Sequence, residues 1–219
     1  MSTADTARIL EAMRAFDGYT LGDAARRAGT GAILRHLQPQ TPGSVFVGRA
    51  LPAKIQFEPH KQIPLSEYGS ARLRDLVEPC DVIVLDGGGL MLSAMGELAY
   101  RNLVKKGAAG AVLNACVRDA EQIAAMGFAM PVFALGTAIE TVAGRARVIE
   151  IGEPVYIQGV RVARGDLLAG CRGGVVAVPW ADVDAVRREA LAIAASDAQV
   201  AAGIERGESM AEIWQKYKS

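Results

Sequence analysis

Asp81-Val-Ile-Val-Leu-Asp-Gly-Gly-Gly89 is the stretch on which the fold turns. Its continuous apolar run, Val82 to Leu85, predicts a strand buried on both faces, as in a parallel sheet, and the glycines predict a flexible loop at its end. A helix from about Ser93 to Lys106 is expected next, then a second buried strand over Gly110 to Leu113 ending at Asn114. A helix over 119–126 and a strand over Val132 to Leu135 continue the alternation, so the middle of the chain reads as a parallel α/β unit.

Upstream, Ser66 to Val77 reads as helix, and Ser44 to Phe57 as strand, break, strand, because Leu51-Pro52 places a residue without an N–H inside the run. Ala7, Ile9, Leu10, Met13 and Phe16 recur at helical spacing, and a second helix is expected after Thr20 as N-cap, punctuated by Gly29 to Gly31. Downstream of Thr141 the texture changes. Short segments at Val148 to Ile151, Val155 to Ile157, Val160 to Val162, Leu167 to Ala169 and Val175 to Val178 suggest antiparallel hairpins. Pro179 and Asp182 open a long helix from about Ala181 to Ile204, and a short one carries Trp214 and Tyr217. With no repeat and no low-complexity linker, residues 1–219 are expected to form one domain.

The 219 residues carry 24 Lys+Arg against 24 Asp+Glu, and 51% are hydrophobic, a globular mix that excludes disorder and fibres. Neutral charge without a basic cluster argues against direct binding of nucleic acid. The charged, helix-spaced start has no uninterrupted apolar core of an export signal. The most apolar stretch, Ala108 to Val117, is broken by Asn114 and falls far short of the ~20 residues that span a bilayer. A soluble cytoplasmic protein with no membrane association is expected. Cys80, Cys116 and Cys171 lack metal-binding spacing and read as buried free thiols.

Several residues carry chemistry. A dinucleotide fingerprint fails because its third glycine would fall at Leu92, but Gly88 and Gly89 allow backbone N–H groups to approach an anion, with the following helix adding its positive dipole. A tight turn is the simpler alternative. Arg118 and Asp119 follow a buried strand, where open α/β sheets place ligands: the guanidinium matches a carboxylate and the aspartate can hold a hard cation such as Mg²⁺. The alternative is a pair that only caps a helix. Glu97 is a second carboxylate that can orient water or act as a general base, or else a solvated helical glutamate. His36 and His60 have no matching partner for a hydrolase triad. Lys54 reads as an edge-strand lysine rather than a Schiff-base nucleophile.

In order along the chain, Asp81 to Gly89, Gly96-Glu97-Leu98, Asn114-Ala-Cys-Val-Arg118-Asp119, Pro131 to Gly136, Ala143-Gly-Arg145 and Gly165-Asp-Leu167 resemble a known family. It unites regulator of ribonuclease E activity A with the class II 4-hydroxy-4-methyl-2-oxoglutarate and 4-carboxy-4-hydroxy-2-oxoadipate aldolases. The resemblance implies a swivelling β/β/α fold with a central mixed sheet, a helical N-terminus and a long C-terminal helix. It also implies trimers or hexamers with active sites between subunits, residues 181–219 forming an arm against a neighbour.

In the aldolases the residues matching Arg118 and the amides around Gly96 and Leu98 hold pyruvate's carboxylate and keto oxygens. Asp119 matches the ligand of Mg²⁺ or Mn²⁺, and Glu97 matches the carboxylate that positions metal-bound water. A further acid comes from the adjacent subunit's C-terminal helix, placed here at Asp197. The implied activity is metal-dependent cleavage of a 4-hydroxy-2-oxo acid to pyruvate, with oxaloacetate decarboxylation at the same site. The alternative is a non-enzymatic regulator that docks on a ribonuclease, and the long tail from Ala190 to Ser219 favours the enzyme. Departures from the family pattern are Cys80 and Ala115 where glycine is usual, Gln122 for a frequent acid, and Cys171-Arg172-Gly173 for an acidic run. A methyl at Ala115 is expected to narrow the pocket, or to strain the backbone if that position needs a positive φ.

Overall fold

A computed structural model describes residues 3–41, 43, 45–127 and 130–217. The chain opens with α1 (Thr3–Arg14) and α2 (Gly18–Arg27), then β1 (Ala32–Leu34), β2 (Gln38–Pro39) and β3 (Phe46–Phe57). A 3-10 turn at Leu65–Glu67 leads to α3 (Ser70–Asp75), followed by β4 (Asp81–Met95), α4 (Glu97–Lys105), β5 (Gly110–Val117), α5 (Ala120–Ala125) and β6 (Val132–Ala134). Five short strands come next, β7 (Ala146–Ile151), β8 (Val155–Ile157), β9 (Val160–Val162), β10 (Leu167–Cys171) and β11 (Gly174–Val178), and α6 (Val183–Glu205) and α7 (Met210–Tyr217) end the described chain.

The strands form a mixed nine-stranded sheet ordered β1-β11-β10-β3-β4-β5-β6-β2, with β7 also on β3 and β8-β9 as a separate ribbon. β3, β4, β5 and β6 run parallel, as their apolar runs predicted. β4 shows why such a run is needed at the centre. Val82 and Val84 pack with Phe46, Val112 and Phe133 on one face, while Ile83 and Leu85 pack with Tyr100, Leu103 and Ile123 on the other. Each such side chain contributes roughly 1.5–3 kcal/mol by burial. A third apolar cluster joins Leu10 and Met13 of α1, Leu21 of α2 and Val186 and Ile193 of α6, so the two terminal helical segments close on each other. No helix among the described residues is long and apolar enough to cross a membrane.

Several local expectations are corrected. β3 is continuous through Pro52, because its partner on one side changes from β10, paired as far as Arg49, to β7, paired from Ala53. Pro52 stands in the gap, where only its carbonyl is used, accepting from Gly152 N at 2.8 Å. The Ser44 end of that expected strand lies outside the described residues. β4 does not stop at the glycines: it bulges outward and pairs again with β5 at Leu90↔Ala115, Ser93↔Cys116 and Met95↔Val117. Hence α4 starts at Glu97 rather than near Ser93. Buried Ser93 holds the extension in place, its Oγ donating to Met95 O at 2.8 Å.

The N-cap of α2 is Asp17, which accepts from Thr20 N at 2.8 Å, so Thr20 lies inside the helix. The expected Ser66 to Val77 helix is broken at Gly69, whose φ of 80° leaves only Ser70–Asp75 helical. Lys54 is exposed but central, facing Asp86 of β4 and Glu150 of β7 in register. Of the three free thiols Cys116 and Cys171 are buried, whereas Cys80 is half-buried with a φ of 69°.

Candidate active site

The carboxyl ends of β4 and β5 meet at a corner fixed by the main chain, where Arg118 N donates to Met95 O at 3.0 Å. Beyond β5 the backbone turns into α5 through Asp119, whose φ of 59° and ψ of 31° are left-handed. Aspartate is among the residues that tolerate this conformation. The turn folds the Asp119 carboxylate back over the start of α4. Its Oδ2 accepts from Glu97 N at 3.1 Å and lies 3.4 Å from Arg118 Nε. Gly96 makes this approach possible: a Cβ there would lie 2.6 Å from Asp119 Oδ2 and 3.0 Å from Arg118 Nε. The requirement is spatial, since Gly96 has an ordinary extended backbone with a φ of −134°.

Arg118 and Asp119 remain accessible, with 45% and 33% of their side chains exposed. They line a cleft of about 600 Å³ together with Gly96, Glu97, Leu98 and Gln122. On their other side lies a recess of about 530 Å³ that reaches Thr137 to Ile139. The Leu98 and Ala99 N–H groups belong to the first turn of α4, where the helix supplies no acceptor. Glu97 is turned along its own helix, Oε1 accepting from Arg101 Nε at 2.6 Å. Buried Tyr68 closes part of the cleft, its hydroxyl donating to Ala94 O at 3.4 Å. Burial pushes its pKa up to about 12, so it stays a neutral donor at ordinary pH.

The structure thus brings Gly96, Glu97, Leu98, Arg118 and Asp119 to one cleft. Gly88 and Gly89 do not line it. They sit in the outward bulge of β4 with φ of 67° and 82°, both exposed, and Gly88 N donates to Asp86 Oδ1 at 2.9 Å. The glycines serve the bulge, not the start of a helix. Asp197 also lies away from the cleft, on the exposed side of α6. The α3 side of the cleft, with Tyr68, Ser70 and Arg74, was not anticipated from the sequence. Only the glycine at 69 signals the break that creates it.

No group of three or more His, Cys, Asp or Glu side chains able to enclose an ion occurs among the described residues. The corner nevertheless suits a hard cation that keeps most of its waters, which needs only one or two carboxylates. The contacts of Asp119 with Glu97 N and Arg118 Nε both use Oδ2, leaving Oδ1 outside them, and Glu97 adds a second carboxylate on the adjoining helix.

Residues 6–177 match the RraA-like family, described as Aldolase/RraA. The chain belongs to this family. The match contains the whole 96–119 set and ends before Asp197. Among relatives, protein DlpA of Legionella pneumophila is 26% identical over 90% of this chain and 32% of its own length. A Halalkalibacterium halodurans protein provisionally named a 4-hydroxy-4-methyl-2-oxoglutarate aldolase is 31% identical over 51% of this chain and 52% of its own. The chain therefore spans between about a third and about half of these relatives. Its fold is also that of Streptomyces coelicolor RraAS2, described as an unusual member of the RNase ES inhibitor RraA family, with a TM-score of 0.73 and 20% identity over 91% of this chain and 96% of that one.

The departures from the RraA-like pattern have simple structural settings. Ala115 is fully buried in β5 and is not among the positive-φ residues, so its methyl strains nothing, and it does not line the cleft. Cys171-Arg172-Gly173 forms the β10–β11 turn against α2, where a Cβ on Gly18 would lie 2.7 Å from Cys171 Cβ. That turn is also separate from the cleft. Gln122 does line it, so the loss of an acid there alters the cleft's charge.

Proposed function

We propose that this RraA-like chain is a divalent-metal-dependent carbon–carbon lyase that cleaves a 4-hydroxy-2-oxo acid to pyruvate and also decarboxylates oxaloacetate. The observation that carries the reading is the shared cleft of Arg118, Asp119 and the free-N–H turn of α4, held together by the space that Gly96 leaves. A guanidinium beside unsatisfied amides is suited to an anion, and the carboxylate next to it to a cation. Asp119 would hold the Mg²⁺ or Mn²⁺, which when bound supplies Lewis-acid polarisation of the substrate's 2-keto oxygen.

The chain's own groups account for the other steps. Arg118 and the Leu98 and Ala99 N–H groups bind the 2-oxo acid's carboxylate and fix its orientation. The Arg118 charge also stabilises the enolate that develops as the C3–C4 bond breaks, an effect worth several kcal/mol at a preorganised site. The Glu97 carboxylate, or Asp197 of the partner subunit, accepts the C4 hydroxyl proton through a water. The electron pair of the broken bond passes into the pyruvate enolate, C4 leaves as a carbonyl, and the same acid returns the proton to C3. The exposed apolar side chains of Leu98 and Ile139, which line the two recesses, support closure of this site by another copy of the chain, with the 181–219 arm in contact with the neighbour.

The test is pyruvate release from oxaloacetate and from 4-hydroxy-4-methyl-2-oxoglutarate with Mg²⁺ or Mn²⁺. Release is expected with either ion, to be abolished by EDTA and restored by adding metal back. Turnover indifferent to chelation, or no turnover with any divalent ion, rejects the reading.

A further inference from the structure

Both carboxylates at the Arg118 corner are already matched by a guanidinium, and the two matches differ in kind. Asp119 is paired inside the cleft, its Oδ2 lying 3.4 Å from Arg118 Nε. Glu97 is paired outside it: Arg101 Nε donates to Glu97 Oε1 at 2.6 Å, and Arg101, more than half exposed, does not line the cleft. The main chain of Glu97 is fixed, because its N–H is held on Asp119 Oδ2 at 3.1 Å. Only the side chain is left to turn, either along α4 to Arg101 or into the cleft beside Asp119. A carboxylate that already answers one cation is a poorer ligand for another. A divalent ion arriving at Asp119 therefore meets two neutralised pairs. The Arg118 pair holds the group assigned to the substrate, whereas the Arg101 pair is an ordinary i,i+4 contact open to solvent, the kind that costs little to break.

We infer that Arg101 is a positioning residue that holds the Glu97 carboxylate out of the cation site until a bound ion competes for it. The inference rests on the lyase reading for the ion at Asp119. It adds a residue outside the cleft that sets how tightly the cleft takes its ion.

Titration of the protein with Mn²⁺, followed by the electron paramagnetic resonance signal of the free ion, tests it without turnover. Arg101→Met is expected to tighten Mn²⁺ binding about two- to fivefold, the range covered by a partly exposed ion pair. Arg101→Lys keeps a cation four residues along the helix and is expected to stay near wild type. Loss of a positive charge would by itself favour a cation, so the deciding comparison is made in Glu97→Gln. There the exposed Arg101 charge is screened by salt and has no carboxylate to withhold, and Arg101→Met is expected to change the affinity by less than about 1.5-fold. Unchanged or weaker binding in Arg101→Met overturns the inference, as does equal tightening in the Glu97→Gln background. Pyruvate release from oxaloacetate is read in parallel. Release without the Arg101 effect sinks the Arg101 assignment alone, and the Arg101 effect without release sinks the lyase reading alone. Absence of Mn²⁺ binding in both wild type and Arg101→Met sinks the two together.

Discussion

Two arginine–aspartate pairs stand at opposite ends of the central parallel strands, with almost the same separation and quite different surroundings. At the amino end of β4, Arg49 NH2 lies 3.3 Å from Asp81 Oδ1, and the Asp81 side chain is only 7% exposed. Asp81 Oδ2 also accepts from Glu78 N at 2.9 Å, and Arg49 reaches Glu78 as well, so the pair is tied to internal partners, although the buried Arg49 Nε has none. At the carboxyl ends, Arg118 and Asp119 lie 3.4 Å apart between two recesses and stay substantially exposed. The same two residue types make a brace at one end and a docking corner at the other. The number of internal partners decides which.

The difference is sharpened first where the largest effect is expected. Arg118→Ala should lower kcat/KM for pyruvate release by roughly 10²–10³-fold, about 3–4 kcal/mol, as for loss of one preorganised charge at a developing oxyanion. Its unfolding free energy should change by less than about 1 kcal/mol, because half-exposed pairs contribute little. Kinetics and urea denaturation on one preparation check both halves. A variant that unfolds easily yet keeps wild-type turnover per folded molecule would turn the docking corner into another brace.

The opposite pattern is expected for Asp81→Ala: a stability loss of about 2–3 kcal/mol, from a stranded Glu78 N–H and a weakened hold on Arg49, with turnover per folded molecule retained. The pH dependence follows from burial. Desolvation holds the folded Asp81 carboxyl above its ordinary value, despite the opposing Glu78 N–H and the Arg49 charge, and burial does the same to Asp166. At these two groups the folded state therefore binds more protons than the unfolded chain across that window. Glu58, Glu208 and Glu212, held below the ordinary value by hydrogen bonds to Lys61, Arg206 and Ser209, act in the opposite sense. The Asp81 and Asp166 contribution to stability should fall as pH rises from the ordinary carboxylate value of about 4 through the raised folded values, and level off above them. Asp81→Ala should flatten part of this slope and leave the Asp166 part. Urea midpoints at several pH values read it, and a variant slope as steep as wild type would mean that Asp81 is not buried as described.

What could be read in advance follows the same division. The parallel core was legible because Val82 to Leu85 and Ala111 to Leu113 have to be apolar on both faces, and composition alone records that. Arg118 and Asp119 were legible as a corner because they directly follow such a run. Gly88 and Gly89 misled because positive-φ glycines serve a strand bulge as readily as a strand-to-helix turn, and only the return of β4 to Ala115 and Cys116 separates the two. Pro52 misled because a missing N–H matters only where a partner strand would use it. Arg74 was invisible because α3 brings it to the cleft, and α3 is set apart from the preceding turn only by the left-handed Gly69.

The smallest effect separates the two ends by their backbone. Each carries a left-handed residue that is not glycine: Cys80, φ 69°, just before Asp81, and Asp119 itself, φ 59°. At Asp119 the strained residue also bears the carboxylate, so a glycine there would remove the proposed cation ligand along with the strain. At Cys80 the side chain offers only a thiol that accepts from Arg14 NH2 at 3.5 Å, a weak contact. Relief of the left-handed penalty, roughly 1–2 kcal/mol, is offset by the added freedom of an unfolded glycine, about 0.4–1 kcal/mol. Cys80→Gly should therefore raise stability by up to about 1 kcal/mol, seen as a Tm a few degrees higher with pyruvate release unchanged. A lower Tm would mean that the thiol and Arg14 hold α1 against β3 more firmly than their separation suggests, making Cys80 part of the closed brace.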